Sequence, residues 1–67
     1  MNEAQRELNR THAKAAMGLI YARLNNDVDA TYRWFRTFNM GLFAQPAHMV
    51  EMGAAHHVLQ YIQAGGN

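Results

Sequence analysis

Sixty-seven residues make a single domain, 1–67, with a net charge of +1 from six basic and five acidic side chains. A chain this short buries only about 60% of the surface its unfolded form exposes, and below roughly 80 residues a disulfide, a metal or a partner subunit usually adds stability. Cysteine is absent, which excludes disulfides and thiolate metal sites and leaves self-association as the expected source of that stability.

The apolar fraction of 49% is that of a globular chain, not a disordered one. A balanced charge argues against a dedicated nucleic-acid binder, which gathers a basic patch over several phosphates. Five of the six basic residues are arginines, Lys14 being the exception. Protein interfaces favour Arg over Lys, so the skew leans towards protein recognition.

Helical spacing dominates, and no period-2 alternation of any length is present. The pattern predicts an all-α bundle of four helices with a long first and a short third. The first covers about 2–24 and opens with opposite-charge pairs at i,i+3, Glu3–Arg6 and Glu7–Arg10. Asn25 and Asn26 end it, and one of them is expected to cap the second helix, where Asp27 and Asp29 suit the positive N-terminal end. That second helix covers about 27–38, and a loop containing Gly41 follows over 39–45. Pro46 fits the first turn of the third helix, where its missing N–H costs nothing. This helix ends near Gly53, the fourth covers about 54–64, and Gly65 and Gly66 stop it.

At 100° per residue the second helix places Val28, Thr31, Tyr32, Phe35 and Phe38 on one face and Asp29, Arg33 and Arg36 opposite. The fourth places Ala55, Val58, Leu59 and Ile62 inward and His56, Gln60 and Gln63 outward. The first helix is apolar almost all round from Ala15 to Leu24. Ala15, Leu19 and Ala22 continue a stripe from Leu8 that reads as the core face, while Met17, Ile20, Tyr21 and Leu24 lie on the reverse. A helix that is apolar on every side must be covered on every side. Met17, Ile20, Tyr21 and Leu24 are therefore the expected homodimer interface, across a two-fold axis. Gly18 in the middle of this stretch suggests a close helix–helix approach.

Residues able to carry chemistry are sparse. His56 and His57 are sequence neighbours pointing 100° apart, His48 has only Glu51 at ligand spacing, and no His-Glu-x-x-His run occurs. With no serine and no cysteine, Thr11, Thr31 and Thr37 are the only aliphatic hydroxyls, none in a nucleophile setting. Asp27 and Asp29 sit at i,i+2, which does not converge two carboxylates on a helix. No phosphate-cradling glycine loop is present. The expectation is a protein with no enzymatic activity, no metal site and no cofactor. A helix-turn-helix DNA reader is the competing binding module, with Arg33 and Arg36 on phosphates, but the Asn25–Asn26 junction lacks the glycine-bearing turn and the helix offers few base-reading side chains.

The segment 27–46 goes beyond generic helix patterning. Trp34-Phe35, Thr37, Asn39 and Leu42 lead to a helix-opening Pro46, and Gly53, Val58, Leu59, Ile62 and Gly65 follow at matching positions. In this the chain resembles the toxin-binding domain of Xre/MbcA/ParS-type antitoxins over about 17–65. Phe38 stands where that family has proline, and Phe43-Ala44 where it has a glycine pair; the family's N-terminal helix-turn-helix half has no counterpart. The resemblance implies a homodimeric helical domain that sequesters a cytoplasmic toxin, commonly one that consumes NAD. The family's C-terminal residues reach into the toxin's active site, and the short tail after residue 64 gives little to insert. Stand-alone domains of this kind also look like small phage or prophage proteins that switch off a host regulator, such as a quorum-sensing transcription factor.

The expected function is thus inhibitory protein binding. Its partners are a second copy of the chain and a protein target, with Arg33, Trp34 and Arg36 as candidate contacts. The opening ten residues are polar, so no signal peptide is expected. The uncharged run 37–50 is too broken to span a membrane. A cytoplasmic protein of a bacterial cell, of phage origin in one reading, is the expectation.

Overall fold

A computed structural model describes residues 1–66 as four helices, α1 (Glu3–Arg23), α2 (Val28–Arg36), α3 (Pro46–Glu51) and α4 (Ala55–Gln63), with no strand among the described residues. The all-α bundle with a long first and a short third helix agrees with the pattern of the sequence. Asn67, the end of the short tail considered above, lies outside the described residues.

Local chemistry sets each boundary. At the start of α1 the Asn2 Oδ1 accepts from the Gln5 amide at 2.8 Å while the Gln5 side chain accepts from the Asn2 amide at 3.0 Å, a reciprocal cap worth about 1 kcal/mol. Three helices end alike. The amides of Asn26, Ala54 and Gly66 reach back to the carbonyls of Tyr21, Met49 and Tyr61, around a left-handed residue at Asn25 (φ 59°), Gly53 (φ 84°) and Gly65 (φ 91°). Glycine and asparagine are the residues that tolerate this conformation. The expected cap of α2 by Asn25 or Asn26 is corrected. Asp27 is the N-cap, its side chain accepting from the Ala30 amide at 3.0 Å, because both asparagines are spent in left-handed backbone (φ 59° each) closing α1. Helix α2 also stops earlier than expected, at Arg36, where Thr37 turns extended.

Ala16, Ile20, Phe35, Val58 and Ile62 form the core, with Leu24, Trp34, Leu42, Ala47, Met49, Leu59 and Tyr61 packed around it. Helix α4 buries Ala55, Val58 and Ile62 against α1, as its spacing predicts. The two helices are braced at both ends. Asn9 Nδ2 donates to the Val50 carbonyl and its Oδ1 accepts from the Ala55 amide, both at 3.0 Å, so it caps the start of α4, where Ala54 has no side chain to do so. At the other end Arg23 donates to the carbonyls of Ile62 and Gly66, a cation on the negative end of a helix.

The facing of α1 overturns two expectations. Ile20 is 0% exposed inside the single subunit, and Leu24 is half-buried against the core. Ile20 is therefore not free to meet another chain as expected, and Leu24 offers only its uncovered part. The stripe read as the core face is the outward one: Leu8, Ala15, Leu19 and Ala22 are all exposed. The inner stripe runs Asn9, Ala13, Ala16, Ile20 and Leu24, where the small Ala16 faces an α4 that carries the fully buried Ala55. Gly18 makes no close approach within the chain, since a Cβ added there would meet nothing within 4 Å. Helix α2 is rotated too. Phe35 is buried and Trp34 half-buried, while Val28 is 68% exposed, and Tyr32 and Phe38 face outward rather than into the core.

Candidate protein-binding surface

Helix α2 stands as a ridge between two hollows. On one side a groove of about 540 Å³ is lined by Met17, Gly18 and Tyr21 of α1, Val28, Tyr32 and Arg36 of α2, and Ala47, Val50 and Glu51 of α3. Its walls are apolar, and the charges Arg36 and Glu51 sit on its border. The Arg36 guanidinium carbon lies 5.3 Å from the centre of the Tyr32 ring, a cation–π placement that keeps the arginine over the groove wall. On the other side a hollow of about 600 Å³ is bounded by Leu24, Ala30, Arg33, Trp34, Phe38 and Met40.

The loop after α2 rises from the rim of this second hollow. Asn39 and Ala44 exchange backbone hydrogen bonds of 2.9 and 3.3 Å, closing a short antiparallel bridge. Inside the bridge the Asn39 Oδ1 accepts from the amides of Gly41 (2.8 Å) and Leu42 (3.1 Å), the local turn that asparagine favours. Phe43 takes φ 58°, a conformation uncommon for any residue with a side chain and an outlier for a bulky one. Phe38 and Phe43 meet edge to face with ring centres 5.7 Å apart. Both are exposed, as is Met40 between them.

The candidate residues named from sequence are distributed over the ridge and the hollows beside it. Met17 and Tyr21 line the groove and are exposed, whereas their expected companions Ile20 and Leu24 are turned inward. Arg33 and Trp34 border the second hollow, and Arg36 borders the groove. Trp34 is half-buried, edge-on to Phe35 at 4.9 Å, and serves the core as well as the rim. Phe38, Met40, Phe43 and Val28 were missed as surface residues. The uncharged loop 39–45 carried a signal for Met40 and Phe43, because so short a connection cannot fold all its large side chains inward.

The polar chemistry is local. Each threonine hydroxyl donates to the carbonyl four residues before it: Thr11 to Glu7 at 3.0 Å, Thr31 to Asp27 at 2.7 Å and Thr37 to Arg33 at 2.6 Å. His12, His56 and His57 stack along one flank of the α1–α4 pair, with ring centres 6.2 Å apart for the first two and 4.0 Å for the last two. Among the described residues no group of three or more His, Cys, Asp or Glu is placed to hold a metal ion. No helix among them is long and apolar enough to cross a membrane.

What the chain offers other molecules is therefore apolar area. Among the described residues eleven large hydrophobic side chains are exposed, against four that are buried, Ile20, Phe35, Val58 and Ile62. Scattered apolar residues are normal on a surface, but contiguous patches mark interaction sites. No protein-family model, no curated protein and no solved structure matches the chain, so this surface is read from its own chemistry.

Proposed function

We propose that this chain is a non-catalytic protein-binding module that inhibits a partner by covering it, and that it works as a homodimer. The observation that carries the reading is the ridge itself, with an apolar groove and an aromatic loop on opposite sides of one short helix. The two sides suit two occupants. A second copy closes the groove over Met17, Tyr21, Val28 and Tyr32, supplying the apolar burial that a 67-residue subunit lacks. The side bearing Arg33, Trp34 and the loop remains open for the target, and aromatic and Arg anchors carry much of the energy of such contacts. The three threonine hydroxyls, each engaged by its own helix, supply no nucleophile.

The resemblance to antitoxin toxin-binding domains makes a cytoplasmic toxin the first candidate target. One observation favours the alternative, a phage-encoded inhibitor of a host regulator such as a quorum-sensing transcription factor. The exposed Phe38 and Phe43 replace the proline and a glycine of the antitoxin pattern, which alters the surface a toxin would meet. A DNA-reading role needs Arg33 and Arg36 in one basic patch, and they border different hollows.

Sedimentation equilibrium on the purified chain at micromolar concentration tests the dimer, with Met17→Glu and Tyr21→Glu expected to give monomers of unchanged helical content. Tagged chain expressed in its source cell, followed by mass spectrometry and reconstitution with the purified candidate, tests the target. A monomer that retains no protein through reconstitution sinks the reading.

A further inference from the structure

We propose that the loop 38–43 is a pre-shaped anchor that inserts Phe43, flanked by Phe38 and Met40, into an apolar cleft of the target protein whose rim carries carboxylates. The inference rests on the protein-binding reading and deepens it by naming the contact element and the chemistry it fits.

Exposure is the first observation: Met40 and Phe43 are each 78% exposed and Phe38 is 51%. The second is that the loop is built to hold them there. The Asn39 side chain ties the Gly41 and Leu42 amides, the Asn39–Ala44 bridge closes the base, and Gly41 lies on the Tyr61 ring so closely that a Cβ would collide with it. The third is Phe43 at φ 58°. A large aromatic in the left-handed region is strained, and such strain clusters at binding sites. Its ring packs edge-on to the exposed Phe38, outside the buried core. A rigid apolar knob loses little conformational freedom on binding, which is what makes it an efficient anchor.

Charge names the rim of the cleft. Residues 30–50 contain no Asp or Glu, and their fixed charges are Arg33 and Arg36. Arg33 shares its hollow with Phe38 and Met40, so a carboxylate on the target's rim meets it as the knob enters. An anionic bilayer offers the same signs, but stable membrane attachment takes two strong signals. Three side chains and two arginines on a chain of net charge +1 supply neither a long apolar insertion nor a polybasic patch.

Photo-crosslinking tests the placement. The full chain carrying p-benzoylphenylalanine at position 43 is irradiated in its source cell, with the same substitution at Leu19, on the outward face of α1, as the control. The expected result is a crosslink from position 43, and not from 19, to a target peptide that is apolar and flanked by Asp or Glu. With the target then purified, Phe43→Asn is expected to weaken binding by about 30-fold or more while raising the thermal midpoint, since Asn tolerates the left-handed backbone. Arg33→Glu is expected to weaken binding and to remove part of its salt dependence. Crosslinks to lipid, crosslinks only to second copies, no crosslink from 43, or undiminished binding by Phe43→Asn each overturn the anchor. The same probe placed at position 33 that crosslinks to a foreign protein, with none from 43, overturns it while leaving the protein-binding reading standing.

Discussion

The α1–α4 pair and the α2–loop region spend their apolar residues in opposite ways. Helices α1 and α4 contribute Ala16, Ile20, Ala55, Val58 and Ile62, all buried, and lock their two ends with Asn9 and Arg23. In the α2–loop region Phe35 and Pro46 are buried, while Val28, Tyr32, Phe38, Met40 and Phe43 lie exposed. The first region satisfies its helix ends internally and supplies most of the core, while the outer side of α1 leaves Leu8, Met17, Leu19 and Tyr21 exposed. The second buries fewer of its large apolar side chains and holds the others at the surface. The core is thus built mainly by two helices far apart in sequence, and the proposed binding surface by the segment between them.

Substitutions can break or sharpen this contrast. The largest effect is expected at Ile20, where Ala removes a fully enclosed side chain and costs about 2–5 kcal/mol in urea denaturation. Leu19→Ala, one residue away on the outward face, is the matched control and is expected to stay within about 0.5 kcal/mol; equal effects would return the helix to the facing read from sequence. Asn9→Ala strands the Ala55 amide and the Val50 carbonyl and is expected to cost about 1–3 kcal/mol. Hydrogen exchange at the Ala55 amide reports the same loss locally. Arg23→Ala removes a cation from the end of α4 and is expected to cost about 0.3–1 kcal/mol, less at high salt. At the bottom of the scale Met17→Glu is expected to leave helical content unchanged by circular dichroism, as befits a surface residue, and to read out only in the sedimentation test of the proposed dimer.

Much of the fold was legible because its boundaries rest on local chemistry. Pro46 opens α3, and Gly53 and Gly65 close α3 and α4 at positive φ, as their spacing foretold. The facing of α1 was not legible. Its C-terminal half is apolar on nearly every side, so hydrophobicity alone favours the Leu8–Leu19 stripe. The helix instead turns inward a stripe with a polar Asn9 and a small Ala16, because Asn9 bridges α3 to α4 and small side chains let α4 settle close. The two partners of Asn9 lie 41 and 46 residues away along the chain, beyond any periodicity argument. The candidate site was half legible. Arg33 and Arg36 lie on the ridge and Met17 and Tyr21 line the groove beside it, while Phe38 was read onto the apolar face of the second helix and Phe43 lies in a turn whose facing no periodicity sets.

The braces at Asn9 and Arg23 join α1 to segments 39 to 46 residues further along the chain. Helix α1 alone has only its own turns and a capped start, so its greasy residues stay uncovered until α4 has been synthesised and has cleared the exit tunnel. The closure of so long a loop slows folding relative to a bundle of sequential neighbours. A nascent or prematurely terminated chain without α4 is open to chaperones and proteases.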